Sequence, residues 1–224
     1  MSIKEIIEFL VPVPCPFDLI RIGGRQDGAY LVPSDLEGIQ ACFSPGVANT
    51  KLFEDELALS YQIHSHLCDF SSDPLMFTTP LIQGMQTFEK AWLGQVQDKD
   101  TITLQEWINR CCPGDQKDLI LQMDIEGGEW SIFPSLDEDT VSRFRIIIVE
   151  LHDIGRILQD HDFRHVALNA LKRLTLNHAC VHTHPNNCCG YNYDDQLDCI
   201  IPNVIEITLL RRDRFRGDPS LYII

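Results

Sequence analysis

Several short segments carry residue types whose spacing suits chemistry. Asp124-Ile125-Glu126-Gly127-Gly128-Glu129-Trp130 interleaves three acids with two glycines, directly behind the apolar run Leu119–Met123. A solvated loop with an acid favouring the dipole of a following helix accounts for Glu129. It accounts less well for Asp124, which falls where an apolar strand should end. Glu150-Leu151-His152-Asp153 follows a second apolar run, Phe144–Val149. Side chains of a strand alternate with period two, so Glu150 and His152 share a face if the strand persists. A carboxylate beside an imidazole suits removal of a proton from a hydroxyl or amine near neutral pH. The bland alternative is a strand terminus that simply turns polar. His182-Thr183-His184-Pro185-Asn186-Asn187 brings His184 and Asn186 to a comparable strand-to-loop transition.

Two further segments suit a ligand rather than a proton. Ser44-Pro45-Gly46-Val47-Ala48-Asn49 follows an apolar run, and its glycine permits close approach of the backbone to a ligand ahead of a helix. By itself it reads equally well as a turn punctuated by Pro and Gly. Asp69 lies 23 residues beyond Gly46. That is close to the roughly 20-residue spacing at which a strand-end acid accepts both hydroxyl hydrogens of an adenosine ribose. Glycine loop and acid together favour the ligand reading over two separate turns.

These segments need elements to hold them. Residues 2–10 fit a short helix with Ile3, Ile6, Ile7 and Leu10 on one stripe, and Leu19–Ile22 with Tyr30–Val32 flank a glycine-bearing turn. Strands are expected over Ile39–Phe43, Ile63–Cys68, Phe88–Leu93, Leu119–Met123, Phe144–Val149, Ala179–Thr183 and Val204–Leu210. Helices are expected over Thr50–Tyr61, Leu104–Asn109 with Thr103 as N-cap, Trp130–Leu136 limited by Pro134, and His165–Leu176. The β-branched run in Phe144–Val149 suits a strand buried on both faces. Alternating strands and helices imply an α/β fold whose ligands bind beyond the carboxyl ends of the strands.

The chain has 224 residues with 33 acids and 18 bases, a net charge of −15. Residues 1–112 hold 15 acids and 7 bases and residues 113–224 hold 18 and 11, so the halves carry −8 and −7. Acidity that evenly spread repels polyanions and anionic surfaces, which argues against nucleic-acid and membrane partners. The length, together with the lack of repeats and linkers, predicts a single domain over 1–224. The amino-terminal residues, with acids at Glu5 and Glu8, do not read as a secretory signal, and no apolar run approaches the ~20 residues of a membrane span. The nine cysteines then read as reduced thiols in a cytoplasmic protein.

Taken together, the sequence resembles the FkbM-type S-adenosylmethionine-dependent methyltransferases. The resemblance runs through Arg21–Tyr30, Phe43–Val47, Phe53–Ala58, Met123–Trp130, Glu150–His152 and His184–Asn187, with the Asp124–Gly127 segment the most diagnostic. It implies a Rossmann-like class I methyltransferase fold: a mostly parallel seven-stranded sheet, helices on both faces and an antiparallel last strand. Residues 1–35 would then close the cofactor site. The resemblance implies S-adenosylmethionine as cofactor, with Ser44, Pro45 and Gly46 around its methionine part, Asp69 on the ribose, and Asp27 and Gly28 closing the site. Asp124 and Glu126 would line the cleft near the methyl group. The first loop, SPGVAN, departs from the GxGxG pattern common in this fold.

Carboxylates suit a cationic sulfonium, and Glu150 and Asp124 join His152, the first choice of base, and His184, the second. The expected reaction is O-methylation of a small hydroxylated acceptor, a sugar or natural product. The segments Ser71–Gln86 and Asn186–Asp198 are candidate lids, and a second copy of the chain, as a homo-oligomer, is another way to complete the pocket. Two other readings stay open, a nicotinamide-dependent oxidoreductase and a catalytically silent binding protein of the same fold. No metal is assigned: His182, His184, Cys188, Cys189 and Cys199 lack standard zinc spacing, and Asp124, Glu150, His152 and His184 would need to converge.

Overall fold

A computed structural model describes residues 3–25, 28–115, 117–186, 189–195 and 198–215. Helix α1 (Ile3–Leu10) leads into a hairpin of β1 (Leu19–Ile22) and β2 (Tyr30–Pro33). Then come β3 (Ala41–Pro45), α2 (Leu52–Tyr61), β4 (His64–Cys68), β5 (Gln86–Glu89), β6 (Trp92–Gly94), β7 (Thr101–Thr103) and α3 (Leu104–Cys111). The second half supplies β8 (Leu119–Met123), α4 (Glu129–Ser135), α5 (Glu138–Ser142), β9 (Phe144–Leu151) and α6 (His161–Thr175). It ends with β10 (His178–Pro185), β11 (Tyr191–Asp194), β12 (Cys199–Pro202) and β13 (Ile205–Arg211).

Seven strands form the main sheet in the order β10-β13-β9-β8-β3-β4-β5. The pairings among β9, β8, β3, β4 and β5 are parallel, while β13 runs antiparallel to both β9 and β10. The sheet is therefore mixed rather than mostly parallel. The expected reversed last strand inserts between two neighbours, so one reversal makes two antiparallel pairings. β3 has its sequence successor β4 on one side and β8 on the other. The direction of winding reverses there, which opens a crevice beyond the carboxyl ends of β3 and β8.

Alternation along β9 explains the layers. Ile147, Val149 and Leu151 join a core with α1, α3, α4 and α6, whereas Ile146 and Ile148 face α2 and the amino-terminal hairpin. All eight residues of β9 are buried. The second face is thus covered by a hairpin and one helix rather than by helices alone.

Three boundaries differ from expectation for identifiable reasons. The expected strand Phe88–Leu93 begins earlier and breaks after Glu89, and Trp92–Gly94 instead pairs with β7. Gln86 anchors the earlier start: its side chain accepts from the buried Lys51 ammonium at 2.9 Å and donates to Asp55 at 3.0 Å. Helix α5 has too little apolar periodicity to stand out, but the Asp137 carboxylate caps it by accepting from the Thr140 N–H at 2.7 Å. The polar stretch before β13 holds a hairpin, β11–β12. By contrast, the Thr103 cap is found as expected, accepting from Glu106 N–H at 3.3 Å. Among the described residues no helix is long and apolar enough to cross a membrane.

Candidate functional site

The turn after β3 is built around Gly46. Its φ is +83°, and a Cβ there would lie 1.5 Å from the Asp124 carbonyl oxygen. The close approach that demands glycine is therefore to the end of β8. The Asp124 N–H donates back to the Pro45 carbonyl at 3.2 Å, which locks the two strand ends together. Ser44 is fully buried, and its hydroxyl hydrogen-bonds the Glu54 carboxylate of α2. Burial raises the Glu54 carboxyl to about 7, against the smaller opposing effect of that bond.

Asp69 ties two loops. One oxygen accepts from the Ala48 N–H at 2.8 Å, and the other accepts from the Ser71 N–H and hydroxyl, both at 2.7 Å. The carboxylate is 7% exposed, so it is presented rigidly at the end of β4.

The densest cluster lies past β8 and β9. Glu129 is fully buried: one oxygen accepts from the His152 N–H at 2.6 Å and lies 3.1 Å from the ring Nδ1, and the other accepts from the Gly127 N–H at 2.9 Å. Trp130 donates its indole N–H to the His152 carbonyl at 2.6 Å. With Nδ1 held by Glu129, the ring turns Nε2 toward Asp124 Oδ1 at 3.7 Å and Glu126 Oε2 at 3.3 Å. Glu150 stands beside them, accepting from the Asn186 amide at 2.7 Å. One donor atom from each of Asp124, Glu150 and His152 falls within 4.8 Å of the others.

Both loops bend through unfavourable backbone. Glu126 and Asp153 have φ of 53° and 57°, left-handed values uncommon for residues with a side chain. Strain of this kind persists where surrounding contacts overdetermine it. Here Glu129 spans the two loops, fixing Gly127 and His152 together.

The electrostatics follow from crowding. Burial raises the Asp124 carboxyl to about 7, and Glu150, Glu126 and Glu129 push the same way against His152. Burial alone would lower the His152 imidazole, but its hydrogen bond to Glu129 and the surrounding carboxylates outweigh it and raise it to about 9. Asp124 Oδ1 is buried without a hydrogen-bond partner. The Tyr30 hydroxyl, which accepts from the buried Gln122 amide at 3.0 Å, is pushed well above its usual range by burial and then by Asp124 and Glu150.

Two recesses meet at this point. One, of about 140 Å³, lies under the hairpin between Gly28, Tyr30, Glu54, Gln122 and Asp124. The other, of about 200 Å³, lies between Asp69, Trp92, Leu93, Ile125 and Glu126. Gly46, Ala48 and Asp124 line both, and among the described residues no lysine or arginine lines either.

Of the site residues expected from sequence, Gly28, Gly46, Asp69, Asp124 and Glu126 line these recesses, and Glu150 and His152 join Asp124. Ser44 and Pro45 stand behind the wall through Glu54 and Asp124. His184 is exposed on the edge strand β10, its ring 6.4 Å from His182, and is outside the converging group. Asn186, two residues on, makes the contact to Glu150 instead. Asp27 lies outside the described residues, as do Asn187 and Cys188. Sequence reasoning missed Glu129, Glu54 and Tyr30. Glu129 looked like a solvated helix-start acid, and its position within the Asp124–Glu129 acid run was the available signal.

A crevice lined by acids at the winding reversal of a seven-stranded sheet is where ligands bind in open α/β folds. A family model described as the methyltransferase FkbM domain matches residues 46–174, more than half of the chain. The protein belongs to that methyltransferase family. A search of curated proteins finds no match.

Proposed function

We propose that this protein is an S-adenosylmethionine-dependent methyltransferase of Rossmann-like class I type, acting as one domain on a hydroxyl group of a small acceptor such as a sugar or natural product. The observation that carries this reading is the Glu129–His152–Asp124 cluster at the junction of two acidic recesses on the winding reversal. The strand order supports the class I type, because a single antiparallel strand enters between β9 and β10.

The residues fit such a cofactor. Asp69 is rigid at a strand end, where a ribose would be held, and Ile125, Trp92 and Leu93 offer apolar surface for a base. Glu54, Tyr30 and Gly28 offer a polar recess on the other side of the shared loop. Asp124 and Glu126 lie between, without a lysine or arginine on the lining among the described residues. When bound, the cofactor supplies an electrophilic methyl on a cationic sulfur, transferred by in-line displacement.

The chain's own groups then have defined work. Glu129 fixes the His152 ring so that Nε2 faces the cleft, and Nε2 accepts the proton of the acceptor hydroxyl. Positive charge bound beside Asp124 and Glu126 opposes the carboxylates that keep His152 protonated, so an occupied cleft readies the base. The amino-terminal hairpin, through Tyr30 and Gly28, roofs one recess and limits water. Reduced thiols fit a cytoplasmic location, since the described cysteines are all free.

The test is a thermal melt with S-adenosylmethionine or NAD, followed by transfer of labelled methyl to a panel of small polyols and phenols. A rise in melting temperature with S-adenosylmethionine and label in a hydroxyl acceptor is expected. A shift with NAD alone would overturn the reading. Binding with no transfer to any acceptor would leave a silent binding protein of the same fold.

A further inference from the structure

We propose that Asp124, Glu150 and His152 form a binding site for a divalent first-row cation such as Mn²⁺, which holds the oxygen of the acceptor. The inference rests on the methyltransferase reading of the cleft, but the ion site itself is argued from geometry.

Three observations carry it. First, one ligand atom from each residue lies within 4.8 Å of the other two, so a single ion can reach all three. Second, the outer contacts are those of a ligand set already oriented. Buried Glu129 holds His152 Nδ1 at 3.1 Å, which leaves Nε2 facing the cluster, where a bound cation takes the place of its proton. A carboxylate on the remote nitrogen of a histidine is the usual support of a metal-bound imidazole. Asn186 likewise occupies one oxygen of Glu150, leaving the other for a ligand. Third, the Asp124 Oδ1 atom is buried and makes no hydrogen bond, its nearest polar neighbour being His152 Nε2 at 3.7 Å. Burying such an atom is costly unless something cationic or protic meets it.

Charge points the same way. Asp124, Glu126, Glu129 and Glu150 surround one histidine, and among the described residues no lysine or arginine lines the adjoining recesses. A sulfonium brings a single positive charge, so a divalent ion is the better complement to four carboxylates. Two carboxylates and one imidazole suit Mn²⁺ better than soft, thiolate-seeking ions. Three protein ligands leave positions open for water or a hydroxyl. With the ion bound, His152 Nε2 is a ligand rather than the base. A hydroxyl on the ion then loses its O–H proton to the exposed Glu126 carboxylate and on to water, and the oxygen stays on the ion as nucleophile.

The test is Mn²⁺ binding to untagged protein without S-adenosylmethionine, followed by electron paramagnetic resonance and calorimetry. One saturable ion per chain is expected, with nitrogen coupling from one imidazole in the pulsed spectrum. Glu150→Gln and Asp124→Asn should each weaken binding at least about tenfold, Glu129→Gln by about 10–100-fold, and exposed Asp139→Asn not at all. No saturable binding at millimolar Mn²⁺, or a wild-type spectrum with water ligands and no nitrogen coupling, overturns the site. So does a folded Glu150→Gln variant that binds as wild type. The wild-type spectrum decides the matter even if a variant fails to fold. Mn²⁺ binding without any S-adenosylmethionine shift would sink methyl transfer and leave the ion site standing. The reverse result would sink only the ion site.

Discussion

The two ends of the central sheet bury acids in opposite ways. At the amino ends of the parallel strands, Asp118 lies 3.0 Å from Arg145 and 2.7 Å from Arg211, and Asp35 takes two bonds from Arg214 at 2.7 and 2.8 Å. Burial would raise the Asp118 carboxyl, but its hydrogen bonds to Arg145 and Arg211 win and hold it below the usual range. At the carboxyl ends, Asp124 sits among three more carboxylates and one histidine and is raised to about 7. One end is a satisfied ion-pair network that joins the carboxyl end of β13 to the start of β9. The other keeps unmatched charge and strained loops around a cleft. The lesson is that the acids of the candidate site are those from which arginine counter-ions are withheld.

The largest contrast to break is catalytic. Asp124→Asn and His152→Gln should each lower methyl transfer by about 10²–10⁴-fold, the span attributed to acid–base groups. The urea midpoint of Asp124→Asn should stay level or rise, because like-charge crowding is relieved, whereas that of His152→Gln should fall, because buried Glu129 loses its ring partner. A stability loss as large as the activity loss would make the cleft merely another structural network. At the opposite end, Arg145→Ala should cost about 1.5–3 kcal/mol in urea unfolding, since Asp35 and Asp118 each lose one charged partner and keep Arg214 and Arg211. Catalytic constants of the surviving folded fraction should be unchanged.

Smaller effects sharpen the comparison. Glu54 ionises near 7 in the fold against about 4.5 when unfolded, so its contribution is fully present below about pH 4.5 and lost as pH rises through 7. Glu54→Gln should therefore melt higher than wild type at pH 8, by about 2–4 °C for each kcal/mol gained in a chain of this size, and level with it at pH 4.5. An equal advantage at both values would remove ionisation as the cause. Smallest of all, Arg110→Ala breaks a half-exposed pair with Glu89 and should shift stability by about 0.5 kcal/mol or less.

Much of this was legible in the residues. The isoleucine run of β9, the Thr103 cap, and the acids at 124, 126 and 150 stood out because local pattern and local chemistry coincide there. Gly46 was singled out for its conformational freedom, yet its nearest partner is the Asp124 carbonyl, 78 residues away. Glu129 and Glu54 were hidden because an acid in the first turn of a helix is ordinarily exposed, and burial of a single side chain leaves no mark on periodicity. His184 and Asn186 show the limit at finer scale. Both stand at the end of β10, but only Asn186 reaches the Glu150 carboxylate.

What the sequence by itself determined is the order of strands and helices, the positions where apolar runs give way to acids and glycines, and the membership of a methyltransferase family through residues 46–174. These depend on period and composition over a few neighbouring residues. Only the tertiary structure decided that β13 enters between β9 and β10, that Glu129 rather than solvent holds His152, and that Asp118 meets two arginines while Asp124 meets one histidine among carboxylates. Desolvation and charge pairing depend on what the rest of the chain brings to within a few ångströms, and sequence spacing does not encode that distance.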